Sequence, residues 1–275
     1  MKAAVKRTTL AFVSLVAIGL FFAGMSYAAI DPGTIAGLWL FDEGAGNVAE
    51  DSSGNGNDGT LTGDPQWIAG KFGKALEFNG DDYVSVNDSD SLDMTDQITV
   101  MFWFRTDKVM ADMWADRQAA VGKHYLEYEV GIYMNGQIHT YTNDGTGGGY
   151  DEGVMASMSE ELGEADWTVG KWYHIAWTLD GQHEVAYVNG VNIGEHDKGH
   201  ANTLPGDHPL EIGERVGGSI PVTGAVDEVV ILNVALGEAD IQDVMNRGMG
   251  AVLGGPTAVS SAGKLATAWG DVKTR

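Results

Sequence analysis

The chain has 275 residues, with 16 Lys and Arg against 39 Asp and Glu, 39 Gly and no Cys. Its eight Trp, nine Tyr and eight Phe supply enough large apolar side chain for a packed core, which excludes a disordered acidic tail. A formal charge of −23 repels nucleic acid and anionic membrane surfaces, and the lack of Cys excludes a disulfide framework, a thiolate zinc site and a Cys nucleophile.

The chain opens with Lys2, Lys6 and Arg7, followed by an uncharged apolar run from Thr8 to Met25 and then Ser26-Tyr27-Ala28-Ala29. This pattern predicts a secretory signal peptide over residues 1–28, with cleavage after Ala28 because small residues stand at Ser26 and Ala28. An uncleaved anchor is the competing reading, since the apolar run is near the lower limit for spanning a bilayer. Cleavage removes three of the basic residues and none of the acidic ones. The mature chain has no other segment suited to membrane insertion, so it is expected outside the cytoplasm, in the periplasm or at the cell surface.

Short stretches rich in β-branched and aromatic residues then recur between Gly, Asn and Asp clusters. They are Gly37–Phe41, Ala75–Phe78, Tyr83–Val86, Ile98–Arg105, Tyr125–Met134, Trp172–Leu179, Val185–Val188 and Ala225–Leu232. This spacing predicts a β-sandwich or barrel. Asn79-Gly80, Asn135-Gly136, Asp180-Gly181 and Asn189-Gly190 favour type I′ turns and hence antiparallel hairpins. Two long connections, Thr106–Gln118 and Thr140–Gly170, are where such a scaffold carries variable, functional surface. Helical spacing is confined to Ala239–Asn246, with Ile241, Val244 and Met245 on one side. From Gly250 the chain turns small and polar, with Lys264, Lys273 and Arg275 against Asp271, and reads as a flexible tail over 250–275.

Several motifs stand in an order that resembles a known family. The chain runs through Gly37-Leu38-Trp39-Leu40-Phe41-Asp42-Glu43-Gly44, Asp51-Ser52-Ser53-Gly54-Asn55-Gly56-Asn57-Asp58-Gly59 and Gly70-Lys71-Phe72-Gly73-Lys74-Ala75-Leu76-Glu77-Phe78. Further on come Trp172-Tyr173-His174, Tyr187-Val188-Asn189-Gly190, Ile212-Gly213 and Gly224-Ala225-Val226-Asp227-Glu228-Val229. Over about residues 36–247 this resembles the laminin-G-like jelly-roll domains of the concanavalin A-like lectin and glucanase superfamily. The resemblance implies an all-β fold, a two-sheet antiparallel β-sandwich of the jelly-roll, concanavalin A-like type with one short C-terminal helix, spanning 29–249. The family often has a Ser before that helix where this chain has Gly237. Such folds host lectins, adhesion modules, carbohydrate-binding modules and some glycosidases.

Glucanases on this fold carry a Glu-x-Asp-x-x-Glu strand, which has no counterpart here. The nearest acids, Glu127 and Glu129, read as solvent-facing, and no Gly-x-Ser-x-Gly elbow is present. His196-Asp197-Lys198-Gly199-His200 with Asp207-His208 reads as a polar hairpin loop rather than a metal site. Calcium has better prospects, because hard cations take oxygen ligands from Asp/Asn/Gly loops such as Asp51–Gly56. The resemblance implies a structural Ca2+ drawing together Asp51, Asn57 and Asp227, with Asp42 as a further ligand. For sugar, Trp114 with Asp112, and Tyr141 or Tyr150 with Asn143, Asp144 and Asp151, offer a stacking ring beside polar groups in the long connections. Trp39, Trp103, Trp172 and Trp177 are expected to pack in the core. The sequence therefore predicts a secreted, non-enzymatic module that binds carbohydrate or a cell-surface glycoprotein. The alternative is a structural or adhesive protein-interaction domain without sugar affinity.

Overall fold

The computed structural model describes residues 30–146, 148–199 and 204–254. The expected signal peptide, His200 and residues 255–275 of the expected tail lie outside them. Eight strands form a first antiparallel sheet: β1 (Ile35–Trp39), β4 (Gln66–Ala69), β5 (Lys74–Asn79), β7 (Gln97–Thr106), β12 (Tyr173–Asp180), β13 (His183–Val188), β14 (Val191–Asp197) and β16 (Thr223–Leu232). Their spatial order is β14-β13-β12-β7-β16-β5-β4, with β1 pairing onto β16. A second sheet of eight holds β2 (Val48–Ala49), β3 (Gly59–Thr62), β6 (Tyr83–Val86), β8 (Gln118–His124), β9 (Tyr128–Tyr133), β10 (Gln137–Asn143), β11 (Tyr150–Ser157) and β15 (Leu210–Ile212). Its order is β11-β10-β9-β8-β15-β6-β3-β2, a meander of β8 to β11 joined through β15 to the early strands β6, β3 and β2, in keeping with the expected jelly-roll sandwich.

Period-two alternation decides which side chains enter the space between the sheets. On β7, Val100, Phe102 and Phe104 point inward, where they meet Val130 and Ile132 of β9 and Trp177 of β12 in one buried cluster. Met101 points the other way, into a second buried cluster on the outside of the first sheet. That cluster is closed by α2 (Glu238–Arg247) and α3 (Met249–Val252) through Ile241, Val244 and Met249. α2 matches the helix expected over 239–246 to within a residue at each end. Its N-cap is Gly237, which makes no side-chain cap bond. The turns at Asn135-Gly136 and Asn189-Gly190 have positive φ at both residues, the type I′ signature, whereas at Asn79-Gly80 and Asp180-Gly181 only the Gly has, so those two turns are not of the expected type.

Two expectations are corrected here. The stretch 140–170 is not one long connection: β10 and β11 are paired strands joined by a turn at Asp144–Gly149. The Gly and acidic residues masked a hairpin whose alternation a bulge interrupts between His139 and Tyr141. Glu127 and Glu129 are not solvent-facing either, being 4% and 1% exposed. Each has a cationic or imidazole partner that only tertiary packing brings to it. At the C-terminal end, α3 continues past Gly250, and Met249 is fully buried. Among the described residues no helix is long and apolar enough to cross a membrane.

Candidate functional site: an aromatic band on the outer face of the second sheet

With Val130, Ile132 and Ile138 turned into the core, alternation directs Glu129, Tyr133, His139 and Tyr141 to the outer face of the second sheet. There they build a continuous band of rings. Trp114, from the connection before β8, meets Tyr133 edge-on at 6.2 Å between centroids. Tyr133 stacks on His139 at 3.8 Å and shares a 2.6 Å hydrogen bond between its hydroxyl and that of Tyr141. Tyr141 lies 5.9 Å from Tyr150, and Tyr150 lies 5.4 Å from Tyr125. His124 adjoins Tyr125 and stacks on His208 at 4.2 Å.

Arg215 sits in the middle of this band. Its guanidinium lies over the rings of Tyr125 at 5.1 Å and Tyr141 at 5.4 Å, a cation–π pairing on two rings. It also grips Glu129 through both Nε and Nη2, with Nε donating to Oε2 at 2.7 Å. Burial pushes the Glu129 carboxyl up, and the guanidinium pulls it back down. The pair is shielded from solvent and internally balanced, so it positions the rings and adds little net charge. Burial also holds His139 neutral, with its pKa lowered to about 4, and raises the Tyr141 phenol.

The residues anticipated for a sugar site divide unequally over this surface. Trp114 and Tyr150 are 60% and 49% exposed and stand toward opposite ends of the band. Tyr141 belongs to the band but is only 5% exposed, so it supports the surface and offers no open face for stacking. Asp112 Oδ1 accepts hydrogen bonds from the backbone N–H groups of Trp114 and Ala115, which lowers its pKa and fixes the Trp114 turn. Asn143 is buried and accepts from Gly145 N, while Asp144 accepts from Thr146 N and Oγ1, so both shape the β10–β11 turn. Asp151 lies half-buried at the start of β11. Sequence reasoning missed Arg215, Glu129, Tyr125 and Tyr133. The available signal was a basic residue three positions after a short strand in a chain where acids outnumber bases by more than two to one.

One transverse register row crosses the same face, from Tyr141 through Glu129, Gly122 and Glu211 to Ser85. Gly122 is required at its centre, because a Cβ there would come within 2.9 Å of Glu129 Cα. Burial, with Glu214 nearby, raises Glu211 to about 7, and its Oε2 has no hydrogen-bond partner.

The anticipated calcium ligands fall into two hydrogen-bonded groups. Asp51 accepts from Leu38 N and Ser53 N on Oδ1, and from Ser53 Oγ and Asn57 N on Oδ2. Those four donors fill the lone-pair sites of a carboxylate. Asn57 donates to Ala36 O and Ser91 Oγ. Asp42 and Asp227 anchor a different turn, accepting from Lys74 N and Phe72 N respectively. Among the described residues no group of three or more His, Asp or Glu is arranged to hold a metal ion. Asp51 is thus saturated by the protein itself, whereas Asp227 Oδ1 is buried without a hydrogen-bond partner.

A laminin G family described as the concanavalin A-like lectin/glucanases superfamily matches residues 78–242. The chain belongs to this family, as its motif order and its two-sheet fold indicate. No curated protein sequence matches the chain. Among solved structures, it is similar to domain 4 of AbnA, a GH43 extracellular arabinanase from Geobacillus stearothermophilus, in complex with arabinotriose. That match has a TM-score of 0.58 and 20% identity over 77% of this chain and 98% of the other. It is also similar to the binding domain of Paraclostridial Mosquitocidal Protein 1, with a TM-score of 0.64 and 16% identity over 78% of this chain and 52% of that one. The binding domain of Botulinum neurotoxin DC in complex with rat synaptotagmin II gives a TM-score of 0.59 and 14% identity over the same shares, 78% and 52%. The chain thus spans about half of each toxin domain, and at these identities the likeness concerns the fold.

Proposed function

We propose that this protein is a secreted, non-catalytic binding module that holds carbohydrate, or the glycan of a cell-surface glycoconjugate, on the aromatic band of its second sheet. The observation that carries this reading is the pair of exposed rings, Trp114 and Tyr150, on one surface stiffened by the Tyr–Arg–Tyr sandwich. Sugar rings present an apolar face for stacking and hydroxyls for a few placed polar groups, and the band supplies both chemistries. Engagement of Glu129 by Arg215 supports binding over hydrolysis, since a glycosidase needs two carboxyls free to flank the scissile bond. The arabinotriose held by the arabinanase domain supports the same reading. The N-terminal Lys2–Ala29 pattern supports export.

A glycan array followed by titration of the best ligand tests the proposal. Trp114→Ala and Tyr150→Ala are each expected to weaken binding by about tenfold or more, equivalent to about 1.4 kcal/mol. A blank array from folded protein, or binding unchanged in both variants, would overturn it. The second reading, an adhesive domain for a protein partner, draws on the same composition, because Trp, Tyr and Arg dominate protein interfaces. A blank array together with Trp114-dependent capture of a purified envelope protein would establish that reading instead.

A further inference from the structure

Met101 and Trp103 share the outward side of β7, but α2 and α3 cover only the surface around Met101. Beyond that cover lies a cleft of about 440 Å³ with Trp103 at its floor, walled by Phe72, Trp172, Asn189 and Asn246 and reached by Lys71. Trp103 and Trp172, anticipated as core residues, therefore belong to the outer face of the first sheet. Trp103 packs edge-on against Phe72 at 6.2 Å and His174 at 5.2 Å, which fixes its ring. Beneath it, His174 is 1% exposed and its Nδ1 has no hydrogen-bond partner, an unusual state for a buried polar atom.

The polar groups around this cleft are of defined kinds. The Lys71 ammonium lies 4.1 Å from the Trp103 ring centre and pairs with no carboxylate among the described residues. Arg105, over the Trp172 ring, is by contrast neutralised by Glu77 and Asp107. Asn189 uses its Oδ1 to accept from His174 N, which leaves its amide hydrogens for a ligand. Asn246 donates Nδ2 to Gln242 O, which leaves its Oδ1 as an acceptor. A charge-assisted donor, amide donors, an amide acceptor and the part-exposed Trp172 indole, with Trp103 packed beneath, together match a ring that carries hydroxyls and one carboxylate.

The geometry points to this cleft as a second ligand site, specific for a sugar bearing a carboxylate, that is, a uronic acid residue. It is formed by the opposite sheet from the aromatic band and does not rest on the function proposed for that band. The test is calorimetric titration of the purified protein with tri-galacturonate and, in parallel, with neutral maltotriose. Tri-galacturonate is expected to bind, more weakly as salt rises, and maltotriose to bind at least about tenfold less well. Lys71→Gln and Trp172→Ala should each reduce tri-galacturonate affinity by about tenfold, while Val109→Ala, at an exposed side chain outside both surfaces, leaves it unchanged. Lys71 is exposed, so its substitution leaves the packed core intact. Absence of tri-galacturonate binding, equal binding of maltotriose, or affinity unaltered by both variants would overturn the assignment. Loss caused by Trp114→Ala would do so too, by moving the ligand to the other sheet.

Discussion

Lys123 has no exposed side-chain surface, and its ammonium nitrogen lies 2.6 Å from Asp88 Oδ1 and from Asp93 Oδ1, and 3.2 Å from Glu127 Oε2. The carbonyl of Gly206 completes the shell at 3.2 Å. These oxygens keep the ammonium charged, raising its pKa against the opposing effect of burial. One lysine thus ties the segment after β6, the start of β9 and the approach to β15, a task that oxygen-ligated cations also perform. Removing it would strand three carboxyls around an empty space. Lys123→Ala is expected to destabilise the fold by about 3–5 kcal/mol, read from the urea midpoint, with Lys123→Met similarly affected because it restores volume but not charge. A loss below about 1 kcal/mol in both variants would show that the cluster relaxes at little cost.

At the scale of elements, the strands sort by how cleanly their side chains alternate. β7 and β12 show period two in the sequence and form where expected, because one face of each is uniformly apolar and sets the register. β8, β10 and β11 were not legible, since their bulges break the alternation and their outward faces carry tyrosines, histidines and acids that resemble loop composition. The helix α2 illustrates a milder local deficit. Gly237 occupies its N-cap at φ −79° and ψ 162°, a geometry open to any residue, yet supplies no side-chain acceptor. Gly237→Ser is expected to add about a few tenths of a kcal/mol and to slow amide exchange in the first turn of α2. Unchanged or faster exchange there would mean that tertiary contacts, rather than the cap, hold the first turn.

For the whole molecule, buried titratable groups set how stability follows pH. Burial raises Asp227 to about 8 and Glu228 and Glu211 to about 7, and lowers His174 to about 3 and His124 and His139 to about 4. The three acids hold protons in the fold that the unfolded chain has already released, so their contribution is present at acid pH and lost as the pH rises through 7 to 8. The three histidines stay neutral in the fold while the unfolded chain takes up protons below about pH 6.5, so they cost stability on acidification. The two sets offset one another between about pH 4.5 and 6.5, where the melting temperature is expected to be flat. It should fall toward pH 8 and again below about pH 4, and Asp227→Asn, which resembles the protonated acid, should flatten the alkaline limb. A melting temperature that climbs steadily to pH 8 would contradict this account.

The sequence by itself determined the sandwich, two of the four expected type I′ turns, the short helix and the family, because alternation, Asn-Gly pairs and motif order are local or ordered along the chain. It also placed Trp114 and Tyr150 on exposed surface, since isolated aromatics in acidic, Gly-rich stretches have little apolar neighbourhood to bury them. Tertiary structure alone decided the rest. Arg215 reaches Glu129, 86 positions earlier in the chain, only because β15 pairs with β8 and β8 with β9. Whether Tyr141 is buried and Trp172 half-exposed depended on which face its neighbours covered. The partners of the anticipated calcium ligands were decided in the same way: the fold, and not the order of residues, set Leu38 N beside Asp51, Phe72 N beside Asp227 and Lys74 N beside Asp42.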